Sequence, residues 1–197
     1  MRHFSMLRNF HFADLFTIGN GCCGVGSLFE AMKFLTTHDP RDLYAAALLI
    51  PLAVVFDTLD GRIARWRHKA SPMGRELDSL ADVISFGVAP AGIAFAAGLD
   101  SALDQIVLLY FAACGLSRLA RYNVTAETLA AATGKVTYFE GTPITTSIVP
   151  LGLTLLALHF GGLHPVRLLG AELHLVVLLY LVSGSLMISK TLRVPKP

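Results

Sequence analysis

Charged residues are scarce in this sequence and make up 15% of its 197 positions. Soluble domains carry about 25%, whereas this chain is 54% hydrophobic. The net charge of +2 is also too small to indicate a nucleic-acid partner. These shortages argue against a soluble domain and against nucleic-acid binding. They favour one integral membrane domain over residues 1–197.

Cysteine is scarce as well, with only Cys22, Cys23 and Cys114 and no C-x-x-C pair. Adjacent cysteines are poorly placed for a disulfide or a zinc site, so we expect neither. We also expect no signal peptide, because the opening "MRHFSMLRNFHFADLF" has no uninterrupted apolar run. Its mixture of aromatic and basic residues predicts that residues 1–12 form a short helix in the membrane interface.

Long apolar runs are abundant by contrast. A membrane span needs about 20 mostly apolar residues. Six segments approach this length, namely 13–35, 43–63, 79–99, 103–122, 143–161 and 168–189. We therefore predict an all-α, polytopic membrane protein with six transmembrane helices. The small residues of "SFGVAPAGIAFAAG" in the third segment favour close packing, either at the centre of the bundle or at the contact of a homodimer.

Basic residues predict the orientation of these spans, because Lys and Arg concentrate in cytoplasmic loops. If the N-terminus is cytoplasmic, all but three of the 16 Lys and Arg lie on the cytoplasmic side. The exceptions are Lys33, Arg41 and Arg167. An even number of spans returns the C-terminus to the same side. We therefore expect both termini and the active site to face the cytoplasm from a multi-pass protein of the inner membrane.

Four aspartates flank the loop between the second and third segments. Asp57 and Asp60 are three residues apart, and Asp78 and Asp82 are four apart, so each pair shares one face of a helix. Carboxylates close together near lipid repel each other and are costly. Ligand sets made only of oxygen select Mg²⁺, Mn²⁺ or Ca²⁺ over zinc. The spacing therefore predicts a divalent-cation site, and four negative charges suit two ions acting at phosphorus.

Small and basic residues accompany these carboxylates. Gly61 and Ala64 leave room beside the site for a bulky polar ligand, and Arg65 can pair with phosphate oxygens. The full pattern is Asp57-x-x-Asp60-Gly61-x-x-Ala64-Arg65, followed by Gly74-x-x-x-Asp78-x-x-x-Asp82. It resembles the signature of the CDP-alcohol phosphotransferases at every fixed position, and the six-span arrangement also resembles the fold of that family.

The resemblance implies an enzyme that transfers a phosphatidyl group from CDP-diacylglycerol to an alcohol and releases CMP. It implies Mg²⁺ or Mn²⁺ as cofactor, with Asp57, Asp60 and Asp78 as metal ligands. Asp82 is then either a further metal ligand or the general base for the incoming hydroxyl. By the same resemblance, the CDP site is lined by Gly61, Ala64, Arg65 and Gly74.

The acceptor alcohol is indicated by other stretches. "ELDSLADVISFGVAPA", "SRLARYNV" and "YFEGTPI" are most similar to the branch of the family that uses L-serine. Arg118 and Arg121 are candidates to bind the serine carboxylate, since a guanidinium pairs with it in bidentate geometry. Both arginines are equally suited to anchoring the helix at the interface. Thr145 and Thr146 depart from the family pattern, so inositol phosphate and glycerol phosphate stay open as acceptors.

Two other classes of protein use similar residues. Intramembrane prenyltransferases also combine aspartates with Mg²⁺, but their first motif has Asn before Asp, where this chain has Phe56. A cation transporter needs charges at mid-membrane, whereas these lie at the ends of the apolar segments. Phosphatidyl transfer is therefore the favoured prediction.

Overall fold

A computed structural model describes residues 12–66, 72–133, 138–168, 170–191 and 193–195. Seven α-helices make up most of the described chain. They are α1 Phe12–Thr37, α2 Pro40–Trp66, α3 Pro72–Asp82, α4 Ala89–Ala96, α5 Ala102–Thr133, α6 Ile148–His159 and α7 Leu178–Ile188. The helical architecture predicted from the sequence is confirmed.

A π-helical turn, Val83–Val88, joins α3 to α4, so residues 72–96 form one continuous helix. π-helical turns are rare in proteins, and those that occur often lie at functional sites. This one follows Asp82 directly and packs closely against α1. A Cβ added at Gly24 would lie 2.6 Å from Ser85 Oγ and 2.8 Å from Ser85 Cα. The absence of a side chain at Gly24 therefore permits this approach of α1 to the π turn.

Four short strands form two antiparallel pairs. Strand β1, Tyr138–Glu140, pairs with β4, Arg193–Pro195, beside the last turn of α7. Strand β2, Pro165–Leu168, pairs with β3, Ala171–His174, to form a hairpin.

The hairpin corrects the predicted sixth span, which was placed at 168–189. Residues up to His174 are strand, and a 3₁₀ turn, Leu175–Val177, leads into α7. Gly170 turns the hairpin with φ 86°, a conformation that glycine adopts at little cost. Hydropathy alone did not separate the apolar strand residues from the helix that follows them.

Three described helical segments are long and apolar enough to cross a membrane, namely Pro40–Ile63, Met73–Ala96 and Ala102–Val124. Ile144–His159 and Leu175–Ile188 are shorter apolar helices. Helix α1 has 26 residues and coincides with the first predicted span, 13–35. Each of the six predicted segments thus coincides with a helix over much of its length. The predicted interfacial segment 1–12 lies outside the described residues, apart from Phe12 at the start of α1.

Large apolar side chains cover the outside of the bundle as well as its core. Leu48 is 71% exposed and Leu109 is 70% exposed, on α2 and α5. Exposed apolar surface of this kind is typical of a face that contacts lipid or a partner. In the interior, Phe111 and Tyr180 are fully buried and pack edge to face, with ring centroids 5.3 Å apart.

The helix ends lie at two ends of the bundle. At one end, the hydroxyl of Tyr44 near the start of α2 is 3.2 Å from His159 Nδ1 at the end of α6. The β2–β3 hairpin joins this end through His174, which contacts Asp104 at the start of α5. The opposite end contains the last turns of α2, the first turns of α3 and the charged motif.

Candidate active site

A cavity of about 360 Å³ opens at the motif end of the bundle. Residues of α2, α3, α5 and the segment before α6 line it. These residues are Asp57, Thr58, Asp60, Gly61, Arg75, Asp78, Ser79, Asp82, Arg118, Leu119, Tyr122, Asn123, Pro143, Ile144 and Thr145. All four motif aspartates therefore share one polar cavity, as their helical spacing predicts.

Three of the aspartates converge on one point. One carboxylate oxygen each from Asp57, Asp60 and Asp78 lies within 4.8 Å of the others. Asp60 is buried, and Asp57 and Asp78 are half-buried. The Oδ1 atom of Asp78 is shielded from solvent and has no hydrogen-bond partner among the described residues. A buried acceptor without a donor is costly, and a cation would satisfy it.

Asp82 lines the same cavity but stands outside this group of three. It lies one helical turn after Asp78 and is 8% exposed. Its Oδ1 atom accepts a hydrogen bond from Asn20 Nδ2 of α1 at 2.9 Å. The structure therefore separates Asp82 from the other three carboxylates by its position and by its partner.

The charge balance of the cavity favours a bound cation. Within the described ranges, no ion pair joins a Lys, Arg or His to any of the four aspartates, and Arg75 lies 3.7 Å from Glu76. Closely spaced carboxylates repel each other, most strongly where water is excluded. Arg75 and Arg118 line the same cavity, so they offset only part of the charge of the four aspartates. An oxygen-only donor set of this kind fits Mg²⁺ or Mn²⁺, so the residues present suit the divalent cofactor that the resemblance implies.

The residues predicted for the CDP site are only partly described. Gly61 lines the cavity, and a Cβ there would meet nothing within 4 Å, so the space beside it is open. Gly74 lies in the first turns of α3, one turn before Asp78. Ala64 and Arg65 belong to the last turns of α2, and their side chains lie outside the described part of the structure. The CDP-binding role of these four residues stays a prediction.

The two candidate acceptor-binding arginines lie in different surroundings. Arg118 lines the cavity, is 7% exposed and has its guanidinium carbon 5.8 Å from the centre of the Tyr122 ring. Arg121 is not among the residues that line the cavity. Its guanidinium instead donates to the carbonyl of Ile188 at the end of α7, at 3.1 Å. Arg118 is therefore the better placed of the two to meet a substrate.

The segment between β1 and α6 forms one wall of the cavity, through Pro143, Ile144 and Thr145. Ile144 is buried and holds this wall in place. Its Cδ1 atom lies 3.0 Å from the position of a Cβ added at Gly115 and 3.8 Å from one added at Gly87. The side chain thus fills the space that two glycines leave on α5 and on the π turn.

Helix α1 contributes contacts that the sequence analysis missed. Thr17 Oγ1 donates to Asp60 Oδ2 at 2.7 Å, and Asn20 donates to Asp82 as described above. Both residues are buried in the first half of α1. The available signal was the presence of Thr and Asn three residues apart in an apolar segment, since polar side chains within spans are usually functional.

Comparison with known proteins agrees with this geometry. The family model for CDP-alcohol phosphatidyltransferase matches residues 10–186. The CDP-diacylglycerol–serine O-phosphatidyltransferase of Saccharomyces cerevisiae is 45% identical over an alignment of 206 residues. This alignment covers 99% of this chain and 74% of the yeast protein. The Mycobacterium tuberculosis protein of the same name is 37% identical over 147 residues, but the match spans only 49% of its length. An archaetidylserine synthase from Methanothermobacter thermautotrophicus is 41% identical over 112 residues, covering 55% of this chain and 45% of that protein.

Proposed function

The chain belongs to the CDP-alcohol phosphatidyltransferase family, and from that premise we propose that it makes phosphatidylserine. It transfers the phosphatidyl group of CDP-diacylglycerol to the hydroxyl of L-serine and releases CMP. The observation that carries the proposal is the convergence of Asp57, Asp60 and Asp78 in a cavity that Arg118 also lines. The relatives named for serine transfer, one matched over nearly the whole of this chain, support serine as the acceptor.

The three convergent aspartates hold divalent cations, Mg²⁺ or Mn²⁺ and two in number. When bound, these ions neutralise the pyrophosphate of CDP-diacylglycerol and make CMP a better leaving group. Asp78 Oδ1 has no hydrogen-bond partner among the described residues and is available for this purpose. Gly61, Ala64, Arg65 and Gly74 form the CDP side of the site, where the open space beside Gly61 leaves room for the nucleotide.

Asp82 accepts the proton of the serine hydroxyl. In the reaction, serine Oγ forms a bond to the phosphorus that carries the diacylglycerol, and the phosphoanhydride bond to CMP breaks. Asp82 lies outside the group of three carboxylates, one turn along the same helix. That position favours the role of base over the alternative role of metal ligand, because Asn20 occupies only Oδ1 and the other oxygen can accept a proton.

Arg118 binds the serine carboxylate. Its guanidinium is nearly buried and lines the cavity together with Tyr122 and Asn123. A guanidinium forms a stronger hydrogen bond with a carboxylate than with an uncharged acceptor group, because both partners are ionised. Arg121, also predicted for this role, acts on the acceptor indirectly, because it ties α5 to the end of α7.

The protein lies in the membrane as a single six-span domain with its active site on the cytoplasmic side. The excess of Lys and Arg at the motif end supports this orientation. CDP-diacylglycerol then reaches the cavity from the lipid, and serine enters from the water. The exposed apolar surface and the small residues of the third span also suit a homodimer.

A single assay tests the function. Purified protein in mixed micelles with CDP-diacylglycerol and Mn²⁺ or Mg²⁺ is offered L-serine, inositol phosphate or glycerol phosphate, and CMP release is measured. We expect release that depends on serine and on the metal, with phosphatidylserine as the product. CMP release driven by inositol phosphate or glycerol phosphate would keep the reaction class but replace serine as the acceptor.

A further inference from the structure

Two polar side chains of α1 contact two different motif aspartates. Thr17 Oγ1 donates to Asp60 Oδ2 at 2.7 Å, and Asn20 Nδ2 donates to Asp82 Oδ1 at 2.9 Å. Thr17 is 3% exposed and Asn20 is 0% exposed. Neither residue lines the cavity. Both therefore act on the site only through the carboxylates that they contact.

The backbone of α1 is also fixed against the helix that carries Asp82. Ser85 Oγ of the π turn donates to the backbone carbonyl of Asn20 at 2.8 Å. Gly24 allows the close contact of α1 with Ser85, described above. Asn20 is thus held at its backbone by the residue one turn after Asp82 while its side chain holds Asp82 itself. This double attachment fixes the direction from which the amide approaches the carboxylate.

The two contacts differ in what they can control. Asp60 belongs to the three carboxylates whose oxygens lie within 4.8 Å of each other, whereas Asp82 does not. A donor to one oxygen of a carboxylate leaves the other oxygen directed elsewhere and limits rotation of the group. Residues that hold the ligands of a metal in this way commonly change metal affinity or activity about 10- to 100-fold when removed.

We propose that Thr17 and Asn20 are positioning residues with separate roles. Thr17 orients Asp60 for cation binding, and Asn20 orients Asp82 toward the acceptor hydroxyl. Helix α1 thereby serves as a template that sets the two halves of the site independently. The role of Asn20 rests on the proposed function, whereas the role of Thr17 rests only on a divalent cation binding at the three carboxylates.

Thr17→Val removes the hydroxyl with little change of shape, and Thr17→Ser keeps it. Asn20→Leu removes the amide and keeps the branched shape of the side chain, and Asn20→Ala removes it without adding bulk. Ser27→Ala is the matched control. Ser27 is a fully buried residue further along α1 whose hydroxyl has no partner among the described residues. Its loss leaves the aspartates untouched.

Mn²⁺ binding is measured by calorimetry on the detergent-solubilised protein without substrate, and kcat and KM are measured by CMP release. We expect Thr17→Val to raise the Kd for Mn²⁺ about tenfold or more. Thr17→Ser should bind Mn²⁺ with a Kd close to that of wild type, because it keeps the hydroxyl. We expect both Asn20 variants to bind Mn²⁺ within about threefold of wild type while kcat falls about 10- to 100-fold. The KM for CDP-diacylglycerol should change little, and Ser27→Ala should match wild type throughout.

Equal loss of Mn²⁺ affinity in the Thr17 and Asn20 variants would overturn the separate roles. Wild-type values for Thr17→Val would remove Thr17 from the site. Size-exclusion profiles and melting temperatures check folding, and failure of both Asn20 variants to fold would make Asn20 structural and overturn its assignment. If another alcohol replaces serine, the proposed acceptor is wrong, but the Mn²⁺ measurements still decide the role of Thr17.

Discussion

Buried carboxylates lie at both ends of this bundle, and their surroundings differ. At the end away from the motif, Asp104 is fully buried and both of its oxygens are occupied. Oδ1 accepts from the backbone N–H of His174 at 3.0 Å, and Oδ2 lies 2.6 Å from His174 Nδ1. Asp42 at the same end pairs with Lys33 and accepts from the hydroxyl of Thr37. These carboxylates hold the hairpin and the α1–α2 turn in place.

At the motif end the carboxylates have few partners. In the described part of the chain, no hydrogen bond or ion pair reaches the side chain of Asp57, and Asp78 Oδ1 has no donor. Clustered negative charge is unfavourable in the isolated protein, and Arg75 and Arg118 of the same cavity offset only part of it. The contrast agrees with the proposal that the cluster at the motif end serves binding and chemistry, whereas the paired acids at the other end serve stability.

Substituting one aspartate at each end of the bundle should give the largest difference in turnover and melting temperature. Asp78→Asn should lower turnover by at least about a hundredfold, because a metal ligand is lost. Its melting temperature in detergent should be equal to or above that of wild type, since one repelling charge has been removed. Alanine at Asp57 or Asp60 should also nearly abolish CMP release.

Asp104→Asn is the counterpart at the other end. It should lower the melting temperature by several degrees, because removing one member of a buried pair is costly. Turnover per folded molecule should stay within about twofold, since Asp104 is remote from the cavity. Loss of turnover in folded Asp104→Asn, or loss of stability in Asp78→Asn, would show that the acids at the two ends do not differ in role.

Asp82 is expected to differ in role from the other three motif aspartates. Asp82→Asn keeps the size of the side chain and removes the base. Affinity for metal and CDP-diacylglycerol should stay within about fivefold, while turnover falls by about 10²–10⁴-fold. Calorimetric titration and CMP release report the two quantities. Collapse of metal binding together with turnover would instead make Asp82 a metal ligand.

The arginines test which cation serves the substrate. Arg118→Ala should raise the KM for serine by about 10- to 100-fold, more than it raises the KM for CDP-diacylglycerol, because a charged contact to the carboxylate is lost. Arg121→Ala should have the smaller effect, since its guanidinium binds Ile188. Equal changes of KM for both substrates in Arg118→Ala would place this arginine at the lipid or CDP group instead.

The smallest expected effect concerns the wall formed by Ile144. Gly115→Ala places a methyl group 3.0 Å from Ile144 Cδ1, so the wall must shift, whereas in Gly87→Ala the distance of 3.8 Å is an ordinary contact. The first variant should raise the KM for serine about two- to fivefold, in line with a packing change of roughly 1 kcal/mol. The second should match wild type. An equal effect in both variants would show that Ile144 does not set the wall.

Much of this arrangement could be predicted from the sequence, because it depends on spacing along helices. Lengths of apolar sequence located six helices, and the intervals between the motif aspartates predicted their shared cavity. Arg118, which lines this cavity, was picked out by its position near the end of the fourth predicted span. These features are local, because the helical repeat determines which residues of a short segment lie on the same face.

Contacts between distant segments could not be predicted in the same way. The hydrogen bonds of Thr17 and Asn20 depend on how α1 packs against α2 and the π turn, which no local pattern records. The π turn itself arises within an ordinary apolar run. The β2–β3 hairpin replaced the start of the sixth predicted span because short apolar strands and helices share the same hydropathy.

Calorimetric titration of Mn²⁺ into the substrate-free protein in detergent tests whether the motif carboxylates form a cation site, with Asp78→Asn and Asp104→Asn titrated in parallel. We expect saturable binding to wild type and to Asp104→Asn with Kd values within about threefold, and a Kd at least about tenfold higher for Asp78→Asn. Equal binding of Mn²⁺ by wild type and Asp78→Asn, or no saturable binding by wild type, would contradict the claim that the unpaired carboxylates form a cation site.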